Sequence, residues 1–209
     1  MTRVVVVRHG ETDWNRNRRM QGWAPVPLND RGREQAAAAG EWLADEYAFD
    51  RVFVSDLSRT RETAEILLEA AAGTPSAEAP VSHERAWRER NLGVYQGLPY
   101  EEVADRFPEH GLGGEAYRAP HTVPEGGESY ADMADRVTRR FSEIVDAHPG
   151  ETVLVVAHGG PIHLLLGYAK ELPIPDALDG HSQENCAVNE FDAADGELAV
   201  VRENATDWL

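Results

Sequence analysis

The sequence predicts a three-layer α/β/α sandwich built on a mostly parallel central sheet. Three hydrophobic runs, residues 4–7, 52–54 and 152–157, alternate with stretches whose apolar residues recur every three or four positions, a βαβα order that places helices on both faces of a sheet. Unbroken runs rich in valine and bounded by polar or glycine residues suit strands covered on both sides. Each run also stops at polar groups: Arg8 and His9 after the first, Ser55 leading to Arg59 after the second, His158 and Gly159 after the third. In an open α/β sheet ligands bind beyond the carboxyl ends of the strands, so these groups are expected to meet in one crevice.

Taken in order, the valines at 4–7 end at Arg8 and His9, and Gly10 lets the chain turn sharply behind them. A polar loop, residues 15–29, carries Arg16, Arg18, Arg19 and then Gln21, Gly22 and Trp23. A helix starts at Asn29 or Asp30, with Ala36, Ala39, Gly40, Leu43 and Tyr47 on one face. Residues 52–54 form the second strand. Residues 55–72 form a second helix with Leu57, Thr60, Ala64, Leu68 and Ala71 inward, and 73–80 a turn-rich connection. Residues 81–97 show no clear period. From 98 to 127, with four prolines and five glycines, the pattern suits a lid of loops and short helix rather than a second core. Ser129 caps a long amphipathic helix that buries Ala134, Val137, Phe141 and Ile144 and ends at Pro149 and Gly150. After the third strand a helix covers 162–169. Residues 186–191 and 198–201 alternate around Asp195 and Gly196 as an edge hairpin, whose free edge offers a surface for a homodimer.

The 209 residues fit one domain on a prior of about 150 residues per domain, with no linker dividing them. The single cysteine, Cys186, excludes an internal disulfide framework, suits a reducing cytoplasm and reads as core filler. No apolar run approaches the roughly 20 residues of a membrane span, and the N-terminus lacks a secretory signal pattern, so a soluble cytoplasmic protein is expected. Asp and Glu number 37 against 20 Lys and Arg, a net charge of -17, which argues against nucleic acid and membrane surfaces as partners. Lys170 is the only lysine, and a strongly acidic chain so poor in lysine reads as halophilic.

Two imidazoles and two guanidiniums in one crevice make an anion site, because guanidinium forks match phosphate oxygens and the helix start after Gly160 adds backbone N–H donors. No metal pattern accompanies them: there is no HExxH and no Asp-rich cluster. Phosphate handled by arginines and histidines without metal or cofactor points to covalent catalysis with an imidazole nucleophile. His83, His110, His148 and His181 read as surface residues, and Arg61 and Arg90, one residue from key positions, as neighbours facing elsewhere.

Arg8-His9-Gly10-Glu11-Thr12 resembles the signature of the histidine phosphatase superfamily, the phosphoglycerate-mutase-like enzymes. Further matches occur in the family's order and spacing. They are Trp14-Asn15, Gln21-Gly22-Trp23, Pro27-Leu28, Gly32 with Gln35-Ala36, and Ser55-Asp56-Leu57-Ser58-Arg59 with Thr63-Ala64. Arg88-Glu89 with Gly93 and Gln96-Gly97, Gly126-Gly127-Glu128-Ser129, and Val156-Ala157-His158-Gly159-Gly160 complete the series, from Arg3 to about Leu166.

The resemblance implies His9 as the nucleophile that forms a phosphohistidine. Arg8, Arg59 and His158 would hold the phosphate, with Asn15, Gln21, Gly22 and the Gly159 N–H as further substrate contacts, and Glu89 would be general acid and base. It implies a substrate that is a small phosphorylated metabolite. Where mutases of the family carry Glu-Arg-His-Tyr-Gly and Gln-Gly-Leu-Asn-Lys, this chain has Leu92 in place of the tyrosine and Tyr100 in place of the lysine. The mutase His-Gly-Asn is here His158-Gly159-Gly160. These departures favour a metal-independent phosphomonoesterase over a 2,3-bisphosphoglycerate-dependent phosphoglycerate mutase, and a non-catalytic phosphate-binding protein ranks below both because His9 and Glu89 are kept. Specificity is expected in 98–127, with Tyr100, Arg106, His110, Tyr117, Arg118 and His121 as candidates.

Overall fold

The computed structural model describes residues 1–180, 182–194 and 196–208. Six strands form one sheet: β1 (Thr2–Arg8), β2 (Arg51–Ser55), β3 (Val81–Glu84), β4 (Thr152–Ala157), β5 (Val188–Ala194) and β6 (Glu197–Ala205), in the order β3-β2-β4-β1-β5-β6. The first four strands of that order run parallel, β5 lies antiparallel to β1, and β6 folds back antiparallel on β5 as the expected edge hairpin. His181 and Asp195 lie outside the described residues.

The helices are α1 (Asp13–Arg16), α2 (Asp30–Glu46), α3 (Ser58–Ala70), α4 (Tyr100–Arg106), α5 (Gly114–Arg118), α6 (Tyr130–Ala147), α7 (Gly159–Ala169) and α8 (Ile174–Asp179). Strand alternation divides the valine runs between two cores. Val4, Val6, Val153 and Val155 point to one face, where Phe141, Ile144 and Leu165 of α6 and α7 cover them. Val5, Val7, Val52, Val54, Leu154 and Val156 point to the other, under Ala36 and Leu43 of α2 and Leu67 of α3. This is the three-layer arrangement, and it explains the absence of polar alternation in these strands.

Caps set the helix starts. Asn29 Oδ1 accepts the Gly32 N–H at 2.8 Å, and Ser129 forms a capping box with Asp132 at the head of α6. The structure departs from expectation in detail. α3 turns Leu67 rather than Leu68 fully inward, β3 is a short exposed edge strand within the unclassified stretch, and α7 begins at Gly159, directly after His158. His83 is exposed as expected, but His148 is half-buried beside Arg51 and Glu151, and His110 stacks on Tyr95 with ring centroids 4.8 Å apart. Both are partly covered because neighbouring aromatic or charged groups pack on them, which no local pattern signals. Cys186 is fully buried, and burial pushes its thiol up to about 12. No helix among the described residues is long and apolar enough to cross a membrane.

Candidate active site

The parallel register brings the strand ends together. Arg8, the last residue of β1, pairs with Ala157, the last of β4, so His9 and His158 leave adjacent strands side by side, their ring centroids 5.2 Å apart. Both rings are buried. Arg59, on the first turn of α3 beyond the end of β2, reaches the same place and is 1 % exposed.

His9 is held at both nitrogens. Nδ1 lies 2.7 Å from the Gly10 carbonyl oxygen, which can only accept, so Nδ1 carries the proton and Nε2 the lone pair. Arg59 Nε donates to that Nε2 at 3.2 Å and its Nη2 to the Gly22 carbonyl at 2.8 Å. Burial, then the guanidiniums of Arg59 and Arg8, hold the His9 pKa well below its ordinary value, and burial with Arg59 does the same for His158. Both imidazoles are therefore neutral at pH 7. His158 Nε2 lies 2.8 Å from Ser55 Oγ, while its Nδ1 has no partner among the described residues.

Glu89 enters from an irregular stretch after Trp87. One carboxylate oxygen accepts from the Gly160 N–H at 3.1 Å, at the start of α7, and the other from the Arg90 N–H at 2.8 Å. Its own carbonyl oxygen is gripped by Trp23 Nε1 at 2.6 Å and Arg136 Nη2 at 3.0 Å. A Cβ at Gly160 would meet the Glu89 carboxylate, so a side chain there would push that carboxylate from its present place. Asn15 and Gln21 are oriented through Thr12: the Asn15 Oδ1 accepts from the Thr12 N–H at 3.2 Å, and the Thr12 hydroxyl lies within 3.1 Å of both amide oxygens. With these oxygens engaged, the amide NH2 groups remain for a ligand.

Arg8, His9, Asn15, Gln21, Gly22, Arg59, Glu89 and Gly159 line one pocket of about 180 Å³, and His158 adjoins it through His9. Tyr100 and Tyr117 of the expected specificity region line it as well, whereas Arg106, His110, Arg118 and His121 do not. Met20, Leu92, Leu112, Tyr130 and Leu178 complete an apolar and phenolic wall. Arg61 is exposed as expected, but Arg90 is not a bystander: it is 2 % exposed, lines the pocket, and lies 3.9 Å over the Tyr130 ring, its Nε and Nη2 donating to the carbonyls of Glu128 and Thr122. A one-residue offset turns a side chain away only in regular structure, and this stretch is irregular. Sequence reasoning also missed Arg136, whose place on α6 beside the buried stripe residues Met133 and Val137 is the only local signal. Among the described residues no group of three His, Cys, Asp or Glu stands where it could hold a metal ion.

An uncharged, tautomer-fixed imidazole with the guanidiniums of the buried Arg59 and the partly buried Arg8 close by, at the carboxyl end of a parallel sheet and in a pocket with a carboxylate, is an arrangement suited to transferring an anionic group to nitrogen. The chain belongs to the histidine phosphatase superfamily (branch 1), which it matches over residues 4–206. It is similar to phosphoglycerate mutase-like protein 4 of Arabidopsis thaliana, 40% identical over 199 residues that cover 95% of this chain and 83% of the relative. It is also similar to the metal-independent phosphoserine phosphatase of Arabidopsis thaliana, 36% identical over 189 residues, 90% of this chain and 75% of that one. Other relatives bear the name 2,3-bisphosphoglycerate-dependent phosphoglycerate mutase. Among solved structures, Bacillus stearothermophilus YhfR superposes with a TM-score of 0.85 at 30% identity, covering 99% of this chain and 98% of that one.

Proposed function

We propose that the protein is a metal-independent phosphomonoesterase of small phosphorylated metabolites that works through a phosphohistidine on His9. The observation that carries this reading is the fixed tautomer of His9, whose Nε2 lone pair faces Arg59 while Nδ1–H is tied to Gly10. On substrate binding, Arg59 and Arg8 turn their N–H groups onto the phosphate oxygens and the lone pair is released for attack. The Nε2–P bond forms as the bond from phosphorus to the leaving oxygen breaks, and Glu89 supplies the proton that oxygen needs. A water then attacks phosphorus, Glu89 takes its proton, and the P–N bond breaks to return His9 and inorganic phosphate. His158, with Nε2 against the Ser55 hydroxyl, offers Nδ1–H to the charge that builds on the phosphoryl oxygens.

The pocket is small beside the roughly 300 Å³ and more of sites for drug-sized ligands, which supports a compact substrate. Leu92 and Tyr100, the positions at which this chain departs from mutases, both line it, and the arginines of α4 and α5, Arg106 and Arg118, do not. The lysine that mutases carry at position 100 is thus absent from the pocket, and Arg90, the one arginine lining it besides Arg8 and Arg59, is held on the Glu128 and Thr122 carbonyls, which supports hydrolysis over mutase chemistry. We read the acidic surface as an adaptation to a salt-rich cytoplasm.

The test is phosphate release from p-nitrophenyl phosphate and 3-phosphoglycerate, with EDTA, in molar KCl, for the wild type and His9→Ala. Turnover that survives EDTA and disappears in the variant supports the reading. Interconversion of 2- and 3-phosphoglycerate on adding 2,3-bisphosphoglycerate, without hydrolysis, would replace it with the mutase.

A further inference from the structure

A guanidinium grips an oxyanion best with its Nε and Nη2 together. Among the described residues four arginines do so: Arg88 on Asp56 at 2.5 and 2.7 Å, Arg136 on Glu128 at 3.1 and 2.6 Å, Arg140 on Glu84 at 2.8 and 2.7 Å, and Arg3 on Asp192 at 2.9 and 3.1 Å. Arg8 is held differently. Its Nη1 donates to the main-chain carbonyl of Gln183, and its buried Nε has no partner among the described residues. The group opposite the gripping edge is clamped, and the edge itself is left for a ligand.

The clamping carbonyl belongs to an arch, residues 183–187, between α8 and β5. The arch also holds the backbone of the site: Asn185 Nδ2 donates to the His9 carbonyl at 2.9 Å and the Cys186 N–H to the Arg8 carbonyl at 3.2 Å. What fixes the arch is a buried amide pair. Gln183 Nε2 donates to Asn189 Oδ1 at 3.2 Å, and Asn189 Nδ2 returns a bond to Gln183 Oε1 at 2.9 Å. Asn189 is fully buried on β5, and its Oδ1 accepts the Asn204 N–H at 2.9 Å as well. Asn204, at φ +48°, takes the Glu184 N–H on its Oδ1 at 2.7 Å. Each of these side-chain amides finds partners, and a satisfied buried network is rigid.

We infer that Asn189 is a positioning residue: through its amide pair with Gln183 it sets the arch that turns the Nε/Nη2 edge of Arg8 onto the substrate's phosphate. The inference rests on the pocket's being a phosphate site. Displacing a phosphate clamp by about 1 Å costs on the order of 100-fold in rate. Asn189→Ala is therefore expected to lose about 10- to 100-fold in kcat/KM, with a matching rise in the inhibition constant of orthovanadate. Asn204→Gly keeps the left-handed backbone and removes only the side-chain bonds, so it folds even where Asn189→Ala does not, and it shifts both constants the same way. Tyr47→Phe removes a bond to Glu190 on the same strand, 2.7 Å long and outside the pocket, and is expected to lower Tm with both constants unchanged. If Asn189→Ala or Asn204→Gly melts earlier but keeps wild-type kcat/KM and vanadate inhibition, the arch is only structural and the inference is overturned. If the wild type neither hydrolyses p-nitrophenyl phosphate nor responds to vanadate, the reading of the pocket fails and the inference with it.

Discussion

Arg59 donates its Nε–H to Nε2 of His9 across 3.2 Å, and the same guanidinium is anchored by Nη2 on the Gly22 carbonyl and by Nη1 on the Ala24 carbonyl at 3.3 Å. One side chain thus orients the imidazole, supplies positive charge beside it and ties the loop after α1 to α3. A lysine at this position would keep the charge but lose the planar fork that makes the three contacts at once. Arg59→Lys is expected to lose about 100-fold in kcat/KM, of the size seen when a positioned transition-state donor is removed. Steady-state kinetics on the folded variant checks this, and activity within threefold of wild type would contradict it.

The two buried histidines set a pH dependence with a definite sign. Both are neutral in the folded protein well below the ordinary histidine pKa of about 6.5, whereas in the unfolded chain they protonate near that value. Below pH 6.5 the unfolded state binds protons that the folded state does not, so stability falls as pH falls, by about 1.4 kcal/mol per pH unit for each histidine until its folded pKa is reached. Urea unfolding between pH 7 and 5 measures the slope, and His158→Asn should flatten it. The acidic limb of kcat/KM, if His9 is the nucleophile, lies below pH 6.5.

Gly32, in the first turn of α2, meets the backbone of Glu11. A Cβ there would run into the Glu11 carbonyl oxygen and come within 2.7 Å of its nitrogen. Backbone on both sides cannot give way as a side chain can. Gly32→Ala is expected to destabilise by about 1–3 kcal/mol, the range for overpacking a tight contact, despite the better helix propensity of alanine. Chemical denaturation of the variant decides it, and equal or greater stability would refute the close contact.

A net charge of -17 on 209 residues leaves the folded chain repelling itself at low ionic strength. Screening shortens the reach of these charges from about 10 Å at 0.1 M to about 3 Å at 1 M salt. Tm is expected to rise steadily from 0.1 to beyond 1 M KCl. A flat or falling Tm would show that the acidic surface is not an adaptation to salt.

The strand runs and the groups that end them were readable because each is local: four valines before Arg8, or five apolar residues before His158, state their burial and their end in consecutive positions. The core histidine and arginine set follows from topology alone once the strands are taken as parallel. Arg90 was misread because side-chain direction in the stretch after Trp87 follows no period, and only tertiary contacts with Tyr130 and the Glu128 carbonyl turn it inward. Asn189 left no sign for a different reason. On β5 both it and Glu190 are buried, since that strand, unlike the partly exposed β6, is covered on both faces, and the alternation that would mark an inward polar residue is lost. Its partner Gln183 lies in a connection with no regular structure.

The place of β4 between β1 and β2 has a consequence for how the molecule comes into being. A chain emerging in order makes β1 and β2 long before β4, yet the finished sheet needs β4 inserted between them, and the arch that steadies Arg8 arrives later still. No early fragment can hold both histidines side by side, since the second is encoded beyond residue 150. Such distant pairing is slow to form, and catalysis appears only when the last long-range contact closes. Turnover in a translation or refolding reaction is thus a clock for completion of the sheet, and it should lag behind the appearance of helical circular dichroism.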